Sequence, residues 1–325
     1  MKLRRRRFLH LAAGALALPA VSRLARADNY PSRPMRWIVC FAAGGPNDVT
    51  ARLIGQYLSE YFGQNFVIEN RVGAGCNVGM EIALNAPPDG YTIAFVGPNN
   101  AINATLYEKL PFDFMRDSVP VAGTMQLTNV MELNLDFPVK NLAEFIAYAK
   151  ANPGKVYYAS GGVGTSLHLC GELLKSMTGI DIVHVPYRGS APALTDLLAG
   201  RVQALFDNIP GAVGQIRAGK VRPLGVTAPQ RVPALPDVPA MAETVPGYEA
   251  SVWYGIGAPR GTPPEVVAKL NQGVNAVLAN PKLKERMQEL GGDPMPMTPD
   301  GFGKLVADET QKWAKVIRGA NIHLE

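Results

Sequence analysis

From Met35 to Val226 the chain alternates short apolar runs with stretches in which apolar residues return every three or four positions. The runs read as buried strands and the 3.6-residue return as amphipathic helices, so the pattern predicts an α/β protein built on parallel strands with right-handed crossovers. A first strand is expected at 36–41. It runs into Ala42-Ala43-Gly44-Gly45-Pro46-Asn47-Asp48, where Asn47 or Asp48 can cap a helix whose apolar face is Thr50, Ile54, Tyr57, Leu58 and Tyr61 and whose end is Gly63. Strands at 66–70 and 91–96 follow, separated by a short helix at 77–86. The third strand leads into Gly97-Pro98-Asn99-Asn100, read as a polar loop. Parallel strands would place both loops at one carboxyl edge, where open α/β sheets bind ligands.

The stretch 156–168 repeats this plan most plainly. Val156-Tyr157-Tyr158-Ala159-Ser160 reads as a strand and Gly161, Gly162 and Gly164 as a tight turn. Thr165 or Ser166 then starts a helix carrying Cys170, Leu173, Leu174 and Met177 on one face. Strand, glycine turn and helix start make an anion site, because the first N–H groups of a helix have no partner and carry partial positive charge. The plainer alternative is a helix capped by its own hydroxyl residue.

Further strands are expected at 181–185, 202–206 and 221–227, with helices at 141–151, from Ser190 as cap to Gly200, and ending at Gly219. Residues 119–135 have extended character. Residues 228–247 hold five prolines and read as a long ordered loop. A strand at 250–257 returns the chain, and three helices (264–278, 282–290, 299–318) follow without strands between them.

Composition changes this picture at the N-terminus. Lys2 and Arg4 to Arg7, an apolar run interrupted by Pro19, and Ala25-Arg26-Ala27 form a secretory signal with cleavage near Ala27. Arg5-Arg6-Arg7-Phe8-Leu9 also resembles a twin-arginine signal. Seven of the 32 Lys+Arg and none of the 27 Asp+Glu lie in residues 1–27, which leaves a mature chain near neutral. The sequence pI of 9.0 therefore gives no argument for a nucleic-acid partner. Cys40, Cys76 and Cys170 are an odd count. Cys40 and Cys76 could pair only with Cα atoms within about 7 Å; isolated, partly buried thiols are the default expectation, and no spacing suggests zinc.

Enzyme signatures are weak. Gly161 to Ser166 lacks the Gly-Lys-Ser/Thr ending of a P-loop, and neither a dinucleotide fingerprint nor a G-x-S-x-G elbow occurs. Ser160 or Ser166 with His168 or His184 leaves a hydrolase or isomerase as the competing class, Ser160/His168 being its leading pair. Binding chemistry is richer: four strand-end loops, at 42–48, 97–100, 160–166 and 207–208, offer bare amides, hydroxyls and side-chain amides with little fixed charge, which suits a small anion. Asp48 and Asp207 are acceptors, with helix capping and loop closure as their structural alternatives. His168 reads as a packing or capping residue. Arg188 is a candidate carboxylate clamp or simply an exposed turn residue.

Six segments, in this order, resemble one family: Asp89-Gly90-Tyr91-Thr92, residues 158–169, His184-Val185-Pro186-Tyr187-Arg188-Gly189-Ser190-Ala191-Pro192-Ala193, Ala218-Gly219-Lys220-Val221-Arg222-Pro223-Leu224, Leu235-Pro236-Asp237-Val238-Pro239, and Lys312-Trp313. From Tyr30 onward the chain is similar to the TctC-like or Bug receptors of the tripartite tricarboxylate transporter. The resemblance implies a type II periplasmic-binding-protein fold, with two α/β lobes joined by two crossing strands, near 125–133 and 250–257, around a ligand cleft. It divides the chain into a signal (1–27), a first lobe (28–128 and 250–325) and a second lobe (129–249).

It further implies a non-enzymatic monomer in the periplasm without cofactor or metal. Such a receptor takes a small organic acid (a di- or tricarboxylate, acidic amino acid or aromatic acid) and delivers it to a permease or reports it to a sensor kinase. The implied site is Ala43, Gly44, Asn47, Asp48, Asn99 and Asn100 from one lobe, with Ser160, Gly161, Gly164, Thr165, Ser166, Gly189, Ser190 and Asp207 from the other. Two departures fall in this site: Ala42-Ala43 stand before the glycine pair and Asn47 before Asp48, where the family has proline and a hydroxyl residue, and Asn99 replaces Ser or Thr.

Overall fold

The computed structural model describes residues 30–41, 43–187 and 189–322. The expected signal and its cleavage site, Ala42 of the first loop and Arg188 lie outside the described residues. The strands in chain order are β1 (Met35–Val39), β2 (Phe66–Asn70), β3 (Thr92–Val96), β4 (Ser118–Leu127), β5 (Asn129–Leu133), β6 (Tyr157–Ser160), β7 (Val183–Pro186), β8 (Ala204–Asn208), β9 (Arg222–Val226), β10 (Val252–Pro259) and β11 (Gly292–Pro294). The helices are α1 (Pro46–Phe62), α2 (Asn77–Leu84), α3 (Pro98–Leu106), α4 (Phe114–Asp117), α5 (Leu142–Ala151), α6 (Ser166–Thr178), α7 (Ser190–Leu198), α8 (Ile209–Arg217), α9 (Pro264–Leu278), α10 (Pro281–Glu289) and α11 (Pro299–Gly319).

These strands form two sheets, in the orders β11-β4-β10-β3-β1-β2 and β7-β6-β8-β5-β9. β1 runs parallel to β2 and β3, and β6 parallel to β7 and β8, as the alternating pattern predicts. The sheets are nevertheless mixed. β10 is antiparallel to both β3 and β4, and β5 is antiparallel to both β8 and β9. The segments that carry the chain between sheets cause this: a strand that arrives from the other lobe enters from the end at which the crossover strands finish.

The forward crossing is a single residue, Thr128, between β4 and β5. The return crossing is tied to it, because Thr227 N–H donates to Asn129 O at 2.9 Å and Ala250 N–H donates to Thr227 O at 3.0 Å. Asn129 also gives its side-chain amide to Ala250 O at 3.3 Å and accepts from the Asn208 amide at 2.5 Å, so the hinge touches the end of β8. The forward crossing lies within 125–133, whereas the return hinge involves Thr227 as well as Ala250.

Helix burial follows the apolar periodicity. In α1 the buried Ala51, Ile54 and Leu58 recur at three- and four-residue spacing, and Gly63 ends the helix at φ 65°. One helix belongs to both lobes: α11 packs against α3 of the first and α6 of the second. Three expectations change. Gly97 to Asn100 is not a loop but the start of α3, because Asn100 Oδ1 accepts from Gly97 N–H at 2.9 Å and closes the first turn on itself. The C-terminal helices are interrupted by β11, which pairs with β4. Cys40 and Cys76 are not isolated thiols but a disulfide with Cα atoms 4.7 Å apart, made possible by Gly79, where any side chain would strike Cys40; Cys170 is the free, buried cysteine.

Candidate functional site

The second lobe supplies the more tightly knit half. β6 ends in Ser160, whose carbonyl accepts from Tyr187 N–H at 3.1 Å, while Gly161 O accepts from Gly189 N–H at 3.2 Å. The turn at 161–165 and the segment at 187–189 therefore lie side by side. Gly162 and Gly164 take φ of 135° and 73°, a region that L side chains avoid. Thr165 caps α6, its hydroxyl accepting from His168 N–H at 3.3 Å, so capping and anion-site geometry coexist here.

The Gly164 N–H is not bare. It donates to His168 Nδ1 at 3.1 Å, and His168 stacks on His184, whose Nε2 lies 2.7 Å from Ser160 Oγ. The first-turn N–H groups of Ser166 and Leu167 lie ahead of the first intrahelical bond and remain the donors of this turn. α7 starts from Gly189 rather than from a Ser190 cap. Ser190 is the first helical residue, and its hydroxyl donates to Asp207 Oδ1 at 2.5 Å. Asp207 also accepts from Asn208 N–H at 2.7 Å. Burial raises its pKa, and these two hydrogen bonds pull against that shift.

In the first lobe, α1 starts from Gly45 with Pro46 at its first position, so neither Asn47 nor Asp48 is the cap. Asp48 is buried instead as a clasp. It accepts from Gly44 N–H at 2.8 Å, Arg52 Nε at 2.9 Å and Asn70 Nδ2 at 2.9 Å. Burial pushes its carboxyl up, but those donors outweigh it and leave the pKa below the ordinary value. Ala43 and Gly44 are exposed, and half-buried Asn47 hydrogen-bonds the Tyr254 hydroxyl. Asn99 is half-buried at the start of α3, and Asn100 is buried by its own capping bond. The two halves meet where Gly164 stands against Leu106: a Cβ on Gly164 would lie 2.5 Å from Leu106 Cδ2.

The leading hydrolase pair, Ser160 with His168, is not formed. Ser160 bonds His184 rather than His168, its side chain is fully buried, and no carboxylate hydrogen-bonds His184 among the described residues. Burial, then the neighbouring His168 and Lys175, depress His184 to about 3; burial depresses His168 to about 4 against the pull of Glu172. Both rings are neutral structural partners at pH 7. Among the described residues, no group of three or more His, Cys, Asp or Glu is arranged to hold a metal ion. Sequence reasoning missed Asn70, Asn129, Thr227 and Tyr254, polar residues that no motif or period singles out.

Two lobes on a two-segment hinge, with helix starts and glycine turns at the strand ends, are the architecture of a solute-binding protein. The chain matches the tripartite tricarboxylate transporter family receptor model, TctC, over residues 50–322, and belongs to that family. It is 38% identical to Rpa4515 of Rhodopseudomonas palustris, solved with adipate, at a TM-score of 0.78 over 90% of this chain and 99% of that one. It is 35% identical to the periplasmic binding protein BugD, at a TM-score of 0.75 over 91% and 100%. It is also 33% identical to MatC (Rpa3494) of Rhodopseudomonas palustris, solved with bound malate, at a TM-score of 0.74 over 89% and 100%. The two-lobed fold implied by the resemblance is thus that of solved family members.

Proposed function

We propose that this protein captures a small dicarboxylate in the cleft between its lobes and presents it to the membrane subunits of a tripartite tricarboxylate-type transporter. The observation that carries the reading is the set of helix starts at strand ends: the N–H groups of Asn47, Asn99, Ser166 and Ser190 lie ahead of the first bond of α1, α3, α6 and α7. Two relatives with adipate and malate support a dicarboxylate over an aromatic acid or an acidic amino acid.

The working site is Ala43, Gly44, Asn47 and Asn99 with Gly161, Thr165, Ser166, Gly189 and Ser190, while Asp48, Asn100, Ser160, Gly164 and Asp207 shape it from behind through the bonds described above. The lobes divide at residues 128 and 249, and the protein works as a monomer after export by residues 1–27 to the periplasm. Thermal unfolding with adipate, malate, citrate, aspartate and benzoate tests the reading. Stabilisation is RT ln(1 + [L]/Kd), about 2.7 kcal/mol at a hundredfold excess over Kd. A shift with adipate or malate is expected; no shift with any of the five overturns the reading.

A further inference from the structure

Glu132 is the most anomalous side chain in the second lobe. It lies in the middle of β5 with 0% exposure, and neither carboxyl oxygen has a hydrogen-bond partner among the described residues. Its register explains what it faces. Val130 pairs with Asp207 and Glu132 with Leu205, so Glu132 and Asp207 lie on the same face of the sheet as diagonal neighbours, roughly 7–8 Å apart between Cα atoms.

That face is closed by the apolar residues Leu205, Ala159, Ala193 and Leu197, which cannot solvate a charge. Other charges are engaged elsewhere. Arg222 of β9 binds the carbonyls of Phe137 and Val139, and Arg217 of α8 binds Ala234 O. Among the described residues, Asp207 is the charged neighbour that bears on Glu132, second to burial itself. Its own donors, Ser190 and Asn208, are enough for one carboxylate and not for two.

We propose that Glu132 is a positioning residue for the capture site: a neutral carboxylic acid whose ionisation would set a second charge beside Asp207, loosen the Ser190 clasp and so tie ligand affinity to one buried proton. This rests on the cleft reading above for its functional consequence, but the charge state can be tested without ligand. Burial, reinforced by Asp207, raises the Glu132 carboxyl to about 8, so its titration falls in an accessible range. The Asn208 N–H, which donates to Asp207, is the reporter.

In the ligand-free mature chain, the Asn208 amide resonance should shift with a midpoint near pH 8, and the shift should vanish in Glu132→Gln, which keeps the neutral shape. Adipate affinity should fall about tenfold per pH unit above that midpoint in the wild type and stay level in Glu132→Gln. An Asn208 resonance that is flat from pH 6 to 9.5, or that titrates identically in Glu132→Gln, overturns the proposal. So does an adipate affinity with the same pH dependence in both proteins. If Asn208 titrates as stated but adipate never binds, the Glu132 assignment stands and the capture reading fails.

Discussion

The imidazole of His184 stacks on that of His168 with ring centroids 3.9 Å apart and planes 18° apart, between Ser160 at one end and the Gly164 N–H at the other. Two neutral rings thus brace the glycine turn from beneath. Their folded-state pKa values of about 3 and about 4 lie below the ordinary 6.5, so the unfolded chain binds more protons between those limits. The stability they contribute is complete above pH 6.5 and is lost as pH falls toward 4. Thermal midpoints should fall steeply in the wild type as pH is lowered from 7 to 4, and less steeply in His184→Gln. Equal slopes would remove the stacked pair as the cause.

Gly164 should be intolerant for two separable reasons. At φ 73° any other residue is strained by about 1–2 kcal/mol, and its Cβ would meet Leu106 across the lobes. Gly164→Ala is expected to lose adipate affinity beyond its loss of stability, and Gly164→Ala with Leu106→Ala to recover part of the affinity. A double variant that binds no better than the single one would show that the contact plays no part in closure.

Asp48 acts through the fold of its loop. Asp48→Asn keeps the shape but sets a neutral amide against Gly44 N–H, Arg52 and Asn70, and should cost about 1–3 kcal/mol in urea unfolding. Because the folded-state pKa of Asp48 is lowered, its contribution is present above the ordinary carboxylate range and is lost as pH falls through it. The gap between wild type and variant should therefore narrow in acid.

The Cys40–Cys76 bridge spans 36 residues and joins the end of β1 to the start of α2. Closing a loop of that size in the unfolded chain corresponds to about 4 kcal/mol. Cys40→Ser with Cys76→Ser, or reduction of the native protein, should lower stability by up to that amount in denaturant titrations. Adipate affinity should fall as well, since Cys40 precedes the 43–48 loop directly. Unchanged unfolding after reduction would show that the bridge contributes nothing.

Local pattern alone located most of the elements and both lobes' glycine turns. Residues 156–168 show why: alternation, three glycines and a hydroxyl cap each act over a few residues, and β6, the turn and α6 follow in order. The same residues do not show that Gly164's amide is taken by His168 or that Ser160's partner is His184, 24 residues away. Asn99 and Asn100 were legible as polar residues at a strand end, but not as the first turn of a helix.

The order of strands and helices and the candidate loops are properties of neighbouring residues, and the amino-acid sequence determines them through periodicity, backbone freedom and capping. The disulfide, the Asp48–Asn70 clasp, the hinge through Asn129, Thr227 and Ala250, and the unpartnered Glu132 beside Asp207 were decided only in three dimensions. Each depends on how strands distant in sequence register against one another, and a side chain's partner there is chosen by the sheet rather than by its neighbours in the chain.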